Sequence, residues 1–211
     1  MLENKKVLVL APHTDDGELG CGGTIAKLIS QGSEVYYAAF STAEESVPKG
    51  FPKNRLEIEV RKATRKLGIK KKNLLVFDFQ VRKLNYVRQE VLERLVEMKK
   101  SIQPDVVFLP SSKDIHQDHI TITQEGIRAF KHCSILGYEL IWNNLSFNTD
   151  CFIEISKKNL EKKIQALQAY KTQKGKAYMS SKFIESLAIV RGTQIGMEYA
   201  ETFEVIRWII K

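Results

Sequence analysis

The chain is predicted to be α/β: a Rossmann-like, mostly parallel sheet flanked by helices. Short apolar runs of strand length alternate with longer segments whose apolar residues recur at helical spacing, the pattern that builds a parallel sheet with right-handed crossovers. In addition, two clusters rich in His and Asp each stand directly behind an apolar run, at the strand ends where such sheets bind ligands.

Taken in order, Lys6-Val7-Leu8-Val9-Leu10 reads as the first buried strand. After a glycine run, Thr24 to Gly32 reads as an apolar helix stopped by glycine, and Val35 to Phe40 as the second strand. Ser41 to Lys53, with two prolines and a glycine, is expected to be a long loop at a strand end. Arg55 to Leu67 reads as a helix closed by Gly68, Leu74 to Phe79 as the third strand and Val87 to Ser101 as a helix. Pro104 resets the chain before the fourth strand, Asp105 to Leu109. Thr121 to Lys131 is expected to be helical and Tyr138 to Trp142 a fifth strand. Phe152 to Ile155 reads as a short strand and Leu160 to Tyr170 as a helix; Phe183 to Arg191 reads as helix or strand, and Tyr199 to Ile210 as a terminal strand.

At 211 residues and 43% hydrophobic, the chain suits one complete core, so a single domain over 1–211 is expected. No stretch approaches the ~20 apolar residues of a spanning helix, and the first residues lead into a strand without a signal-peptide pattern, which makes a cytoplasmic protein the expectation. Cys21, Cys133 and Cys151 are odd in number and lack CxxC spacing, so they are expected to be small buried residues. The net charge of +8 is spread over many segments, and aromatic residues do not interleave with the basic ones as in a base-stacking surface. The charge is therefore read as mild attraction toward anionic small substrates or membrane surfaces, with no nucleic-acid partner; Lys70-Lys71-Lys72 reads as a solvated turn.

Three of the four histidines lie in Ala11-Pro12-His13-Thr14-Asp15-Asp16 and Asp114-Ile115-His116-Gln117-Asp118-His119. Imidazole and carboxylate supplied by two loops at strand ends suit one divalent cation, so the clusters are read together as a metal site. His132 lies outside both and reads as a helix-end residue. The run Gly17 to Gly23 invites a dinucleotide-binding reading. Six residues separate it from the strand, however, two of them carboxylates that would repel a pyrophosphate. The glycines read instead as backbone that folds tightly around a metal and packs the following helix.

These residues resemble the paired signatures of the LmbE-like (PIG-L) N-deacetylase family, zinc-dependent hydrolases of N-acetylglucosamine-type amides. The likeness rests on Ala11 to Asp16, Leu19-Gly20-Cys21-Gly22-Gly23-Thr24, and Pro110 with Asp114, His116, Asp118 and His119. It extends to Glu59, Leu67-Gly68-Ile69, Lys163, Ala166, Tyr170, Gln173 and Tyr199 to Phe203. Thr14 and Gly17 depart from the family's usual proline and acidic residue. The resemblance implies that His13, Asp16 and His119 hold Zn2+ or Fe2+, leaving a fourth position open. It further implies that Asp15 is the general base, that His116 is an acid or oxyanion stabiliser whose ring Asp118 holds in the protonated form, and that Arg55 grips an anionic part of the substrate. The residues themselves also allow Asp118 as a helix N-cap before Ile120 and Arg55 in a surface ion pair with Glu59. The expected reaction is hydrolysis of the N-acetyl group of a small amino sugar, whether glycoside, nucleotide sugar or glycan precursor, by metal-activated water. A homo-oligomer is compatible with the sequence. The competing readings are a dinucleotide-binding oxidoreductase and a non-catalytic metal- or sugar-binding protein.

Overall fold

A computed structural model describes residues 2–210; Met1 and Lys211, part of the range expected to form the domain, lie outside the described residues. Seven strands form one mixed sheet: β1 (Lys6–His13), β2 (Glu34–Ser41), β3 (Leu74–Val76), β4 (Val106–Pro110), β5 (Ser134–Tyr138), β6 (Cys151–Glu154) and β7 (Ala200–Arg207). Their spatial order is β3-β2-β1-β4-β5-β7-β6. Neighbours from β3 to β5 are parallel, while β7 runs antiparallel to both β5 and β6. The chain winds outward from β1 to β3, then crosses back and winds the other way through β4 and β5. The crevice between the carboxyl ends of β1 and β4 is therefore the switch point of the sheet, where parallel sheets bind ligands. Both His-Asp clusters open into it.

Six helices flank the sheet: α1 (Asp16–Ser30), α2 (Arg55–Leu67), α3 (Arg88–Ile102), α4 (Gln117–Ala129), α5 (Lys157–Leu167) and α6 (Ser181–Thr193). Successive side chains of β1 point to opposite faces and each face is covered, which is why its apolar run is continuous. Val7 and Val9 pack with Tyr37, Phe108, Tyr138 and Phe203 and with residues of α1, α2, α5 and α6. Leu8 and Leu10 pack on the other face with Phe40, Leu109 and residues of α3 and α4.

Arg55–Leu67 is helical over the expected residues, and Gly68 closes it with φ +100, a conformation that favours glycine. Several elements differ from expectation: α5 runs Lys157–Leu167, three residues earlier than expected, and β7 ends at Arg207 rather than Ile210. The first strand continues to His13 and α1 begins at once at Asp16, so the glycine run is helix rather than a loop around a metal. A Cβ at Gly20 would lie 2.3 Å from Tyr138, and one at Gly23 would lie 2.6 Å from Ile155, so these glycines let the helix approach the sheet and its neighbours. Likewise α4 starts at Gln117, inside the second cluster. β3 is only three residues long, with Phe77 and Phe79 joined to β2 by single backbone hydrogen bonds. The fifth strand is Ser134–Tyr138 rather than Tyr138 to Trp142, because Val106–Pro110 pairs with those earlier residues. Leu140 to Asn144 then turn, with the Leu140 N–H donating to the Asn144 side chain (2.8 Å), and Ile141 and Trp142 are exposed. The segment 183–191 resolves as helix within α6. Of the cysteines, Cys21 is buried but Cys133 and Cys151 are only half-buried.

Candidate metal and active site

The convergence begins with the strand ends. His13, the last residue of β1, has its backbone N–H held by Asp16 Oδ2 at 2.8 Å, which fixes the turn into α1. Its Nδ1 lies 3.2 Å from Asp16 Oδ2, and His119 Nε2 lies 3.3 Å from the same oxygen and 3.3 Å from His13 Nδ1. Three ligand atoms thus form a nearly equilateral triangle. Zinc bonds of about 2.0–2.1 Å place tetrahedral ligand atoms about 3.3 Å apart, so the triangle fits such an ion. The outer nitrogens are also held. His13 Nε2 meets Asp118 Oδ2 at 2.9 Å, and His119 Nδ1 meets Asp114 Oδ2 at 2.8 Å. Carboxylates in that position fix the tautomer and ring orientation of a metal-ligating imidazole.

Burial works against charge on His13 and His119, but the surrounding carboxylates outweigh it, raising His13 to about 9 through Asp16 and Asp118 and His119 to about 10 through Asp16 and Asp114. Asp16 is likewise held well below its usual range by His119 and His13, against the effect of burial.

Asp15, half-buried beside the triangle, is raised to about 6 by burial and by repulsion from Asp16. His116 lies at ring-centroid distances of 4.9 Å from His13 and 4.6 Å from His119, and the three imidazoles offer nitrogens within 4.8 Å of one another. His116 caps α4, its Nδ1 accepting the Asp118 backbone N–H at 3.2 Å. An accepting Nδ1 leaves the proton on Nε2, so this ring is a neutral donor, and burial together with His119 and His13 lowers its pKa.

Two contacts differ from those the resemblance implies, and one of them is the Arg55–Glu59 ion pair that helical spacing allows. The Asp118 carboxylate does not hold His116 in a protonated form; it binds His13 and accepts the backbone N–H groups of Arg82 (2.6 Å) and Leu84 (3.2 Å). Nor does Arg55 reach the crevice. Its Nε is 2.8 Å from the buried Glu59 carboxylate, one helical turn away, and its guanidinium sits over Phe51. His132 is exposed and remote from the site, as expected.

The cleft over the triangle has a volume of about 350 Å³ and is lined by residues from segments far apart in sequence. Trp142 stacks on Tyr178 at 4.1 Å along one wall, with Lys176 over the Tyr178 ring. Arg82, also lining the cleft, has φ +64, unusual for a residue with a side chain; its N–H is held by Asp118 and its carbonyl by Gln117 (2.7 Å). Sequence reasoning missed these residues and gave Asp114 no role. The sequence signals for Asp114 are its place five residues before His119 and its membership of the second family signature.

The turn that carries the departures at 14 and 17 is held by two tyrosines. The Tyr37 and Tyr170 hydroxyls lie 2.9 and 2.7 Å from the Thr14 carbonyl and also contact the buried Glu18 carboxyl, whose pKa burial raises to about 8. The Gly17 N–H donates to the Tyr37 hydroxyl, and a Cβ at 17 would fall 2.5 Å from that ring. A side chain there would have to displace the buried Tyr37 ring.

A doubly wound sheet with imidazoles and carboxylates converging at its switch point defines an α/β protein with a candidate metal site. Residues 8–130, more than half of the chain, match the PIG-L family described as GlcNAc-PI de-N-acetylase, and the chain belongs to that family. It is similar to the diacetylchitobiose deacetylase of Thermococcus kodakarensis, at 27% identity over 222 residues covering 93% of this chain and 81% of that protein. A conserved protein of Thermus thermophilus superposes with a TM-score of 0.82 at 26% identity, over 98% of this chain and 97% of that one. A 4-carboxy-2-hydroxymuconate hydratase of Pseudomonas putida superposes with a TM-score of 0.81 at 20% identity, over 98% of each chain. A hydratase on this fold means that function has to be argued from the site.

Proposed function

We propose that this protein is a metal-dependent N-deacetylase that releases acetate from an N-acetylglucosamine-type sugar, with His13, Asp16 and His119 holding the metal. The observation that carries the reading is the 3.2–3.3 Å triangle of His13 Nδ1, Asp16 Oδ2 and His119 Nε2 with a further carboxylate, Asp15, beside it. Family membership and the deacetylase name of the Thermococcus kodakarensis relative support it.

A bound zinc or iron(II) supplies Lewis acidity to the amide carbonyl and makes nearby water more acidic. Asp15, ionised above about pH 6, takes a proton from the attacking water as its oxygen bonds to the carbonyl carbon. The Nε2–H of His116 donates to the oxygen on which charge develops, a role for which a neutral ring oriented by the Asp118 N–H is suited. Protonated Asp15 then returns its proton to the departing nitrogen as the C–N bond breaks, giving acetate and a free amine. The Trp142–Tyr178 wall offers an aromatic face for the sugar ring.

The dinucleotide reading finds no support, since the glycine run is packed helix with Asp16 at its first turn. No helix among the described residues is long and apolar enough to cross a membrane. The test is acetate release from a panel of N-acetylglucosaminides by metal-loaded protein beside Asp15→Asn. Release that is abolished by chelation, restored by zinc or iron(II) and lost in Asp15→Asn is the expected result. Release that survives Asp15→Asn, or none from any member of the panel, would overturn it.

A further inference from the structure

We infer that the groove between α2 and α5 binds an acidic sugar chain and draws the polyanionic part of the substrate alongside the catalytic cleft; the inference rests on the deacetylase reading. The groove has a volume of about 800 Å³, half of the residues lining it are Lys or Arg, and none is acidic. Two of its cations are neutralised: Arg55 by Glu59 and Arg61 by Glu57. The other five, Lys62, Arg65, Lys66, Lys71 and Lys171, are exposed and form no ion pair among the described residues. Five unneutralised cations around one concavity repel each other at a cost in stability, and they raise the local concentration of an anionic ligand.

The lining selects among polyanions. It contains no aromatic side chain on which a base could stack, which disfavours single-stranded nucleic acid. It is concave, with Gln165 and Gln168 as neutral hydrogen-bonding groups on the α5 side, which suits a hydroxyl-bearing chain better than a flat bilayer. Groove and catalytic cleft also share one turn. Lys171 lines the groove and Gln173 lines the cleft, and Glu59 holds the segment between them through the Lys171 N–H (2.9 Å) and the Thr172 hydroxyl (2.6 Å). The groove and the cleft are therefore neighbours on the two sides of residues 171–173.

The experiment compares three hexasaccharides: neutral chitohexaose, alternating glucuronate and N-acetylglucosamine, and a phosphodiester-linked N-acetylglucosamine chain. Each is assayed for acetate release, and labelled forms are titrated for binding to Asp15→Asn. The wild type is expected to favour the acidic chains by about tenfold or more in kcat/KM, an advantage lost in ~0.5 M salt. In K62Q/R65Q/K66Q, and in K71Q/K171Q as a second variant that leaves α2 unaltered, that advantage should collapse while chitohexaose turnover stays unchanged. The two acidic arms report whether carboxylate or phosphate is the preferred anion. Equal turnover and binding of neutral and acidic chains by the wild type would overturn the inference. So would tighter binding, through the same residues, of an oligothymidylate or of phosphatidylglycerol vesicles. Binding of acidic chains to the groove with no turnover of any hexasaccharide would leave the groove standing and sink the deacetylase reading instead.

Discussion

Asp15 and Asp16 are adjacent carboxylates with opposite fates. Asp16 faces two imidazoles and is held ionised, whereas Asp15 is raised to about 6 by burial and by repulsion from Asp16. A general base must be deprotonated to act, so a raised pKa shifts the acid limb of the rate upward. With Asp15 as that base, kcat/KM falls about tenfold per pH unit below its pKa, and bound metal moves the limb to lower pH. Asp15→Asn is expected to lower kcat by about 10²–10⁴-fold with metal still bound. For metal uptake the sign is opposite. The protons on His13 and His119, retained up to about 9 and 10, must leave as the ion enters. Zinc affinity, measured by chelator competition at pH 6.5 and 8.5, should therefore rise with pH, and calorimetry in buffers of different ionisation enthalpy should register proton release; affinity independent of pH would contradict the assignment. Asp118→Asn should weaken zinc binding by about 10–100-fold, because it loosens both the His13 ring and the Arg82–Leu84 turn. Most of this site was legible in the sequence, since His13, Asp15, Asp16, His116, Asp118 and His119 stand behind two apolar runs. Arg82, Trp142 and Tyr178 were not, because only long-range packing brings them to the cleft.

Helix α1 shows what a one-dimensional reading loses. Glycine costs about 1 kcal/mol relative to alanine inside a helix, so Gly17 to Gly23 reads as a loop. In the fold the run is helical with a kink at Cys21, and the Glu201 carboxylate accepts the Gly23 and Thr24 N–H groups at 3.0 and 2.6 Å. Lys163 Nζ, on α5, is 2.6 Å from the same carboxylate. The Thr24 and Lys163 contacts span 177 and 38 residues of sequence respectively, and no local pattern reveals them. Removing one partner leaves a buried charge uncompensated, so Glu201→Ala should destabilise by about 3–5 kcal/mol in denaturant unfolding. Stability unchanged by that substitution would show that the kink does not depend on the pair. The helices α2 and α3 were legible to within a residue at each end, because α2 carries a glycine stop and both carry apolar residues at helical spacing. The fifth strand was misplaced because the apolar Leu140-Ile141-Trp142 resembles a strand while its last two residues are exposed, near the cleft rather than in the core.

At the scale of the whole molecule, the strand order puts the ends of β1 and β4 side by side and so joins two clusters separated by 105 residues between His13 and Asp118. The α/β alternation was readable from apolar periodicity. The antiparallel edge of β7 was not, since periodicity carries no information about strand direction. The proposed metal site would tie the two halves of the sheet together, so zinc bound only by the folded chain should raise the melting temperature, the stabilisation being about 2.7 kcal/mol at a hundred times its Kd. The central claim is that His13, Asp16 and His119 hold one metal that Asp15 does not help to bind. Elemental mass spectrometry of the wild type, Asp15→Asn and His119→Ala, purified without chelator and reloaded with zinc, tests it most directly. About one ion per chain in the first two proteins and none in His119→Ala is the predicted result. A wild type that takes up no metal, or a His119→Ala variant that holds as much as the wild type, would contradict it.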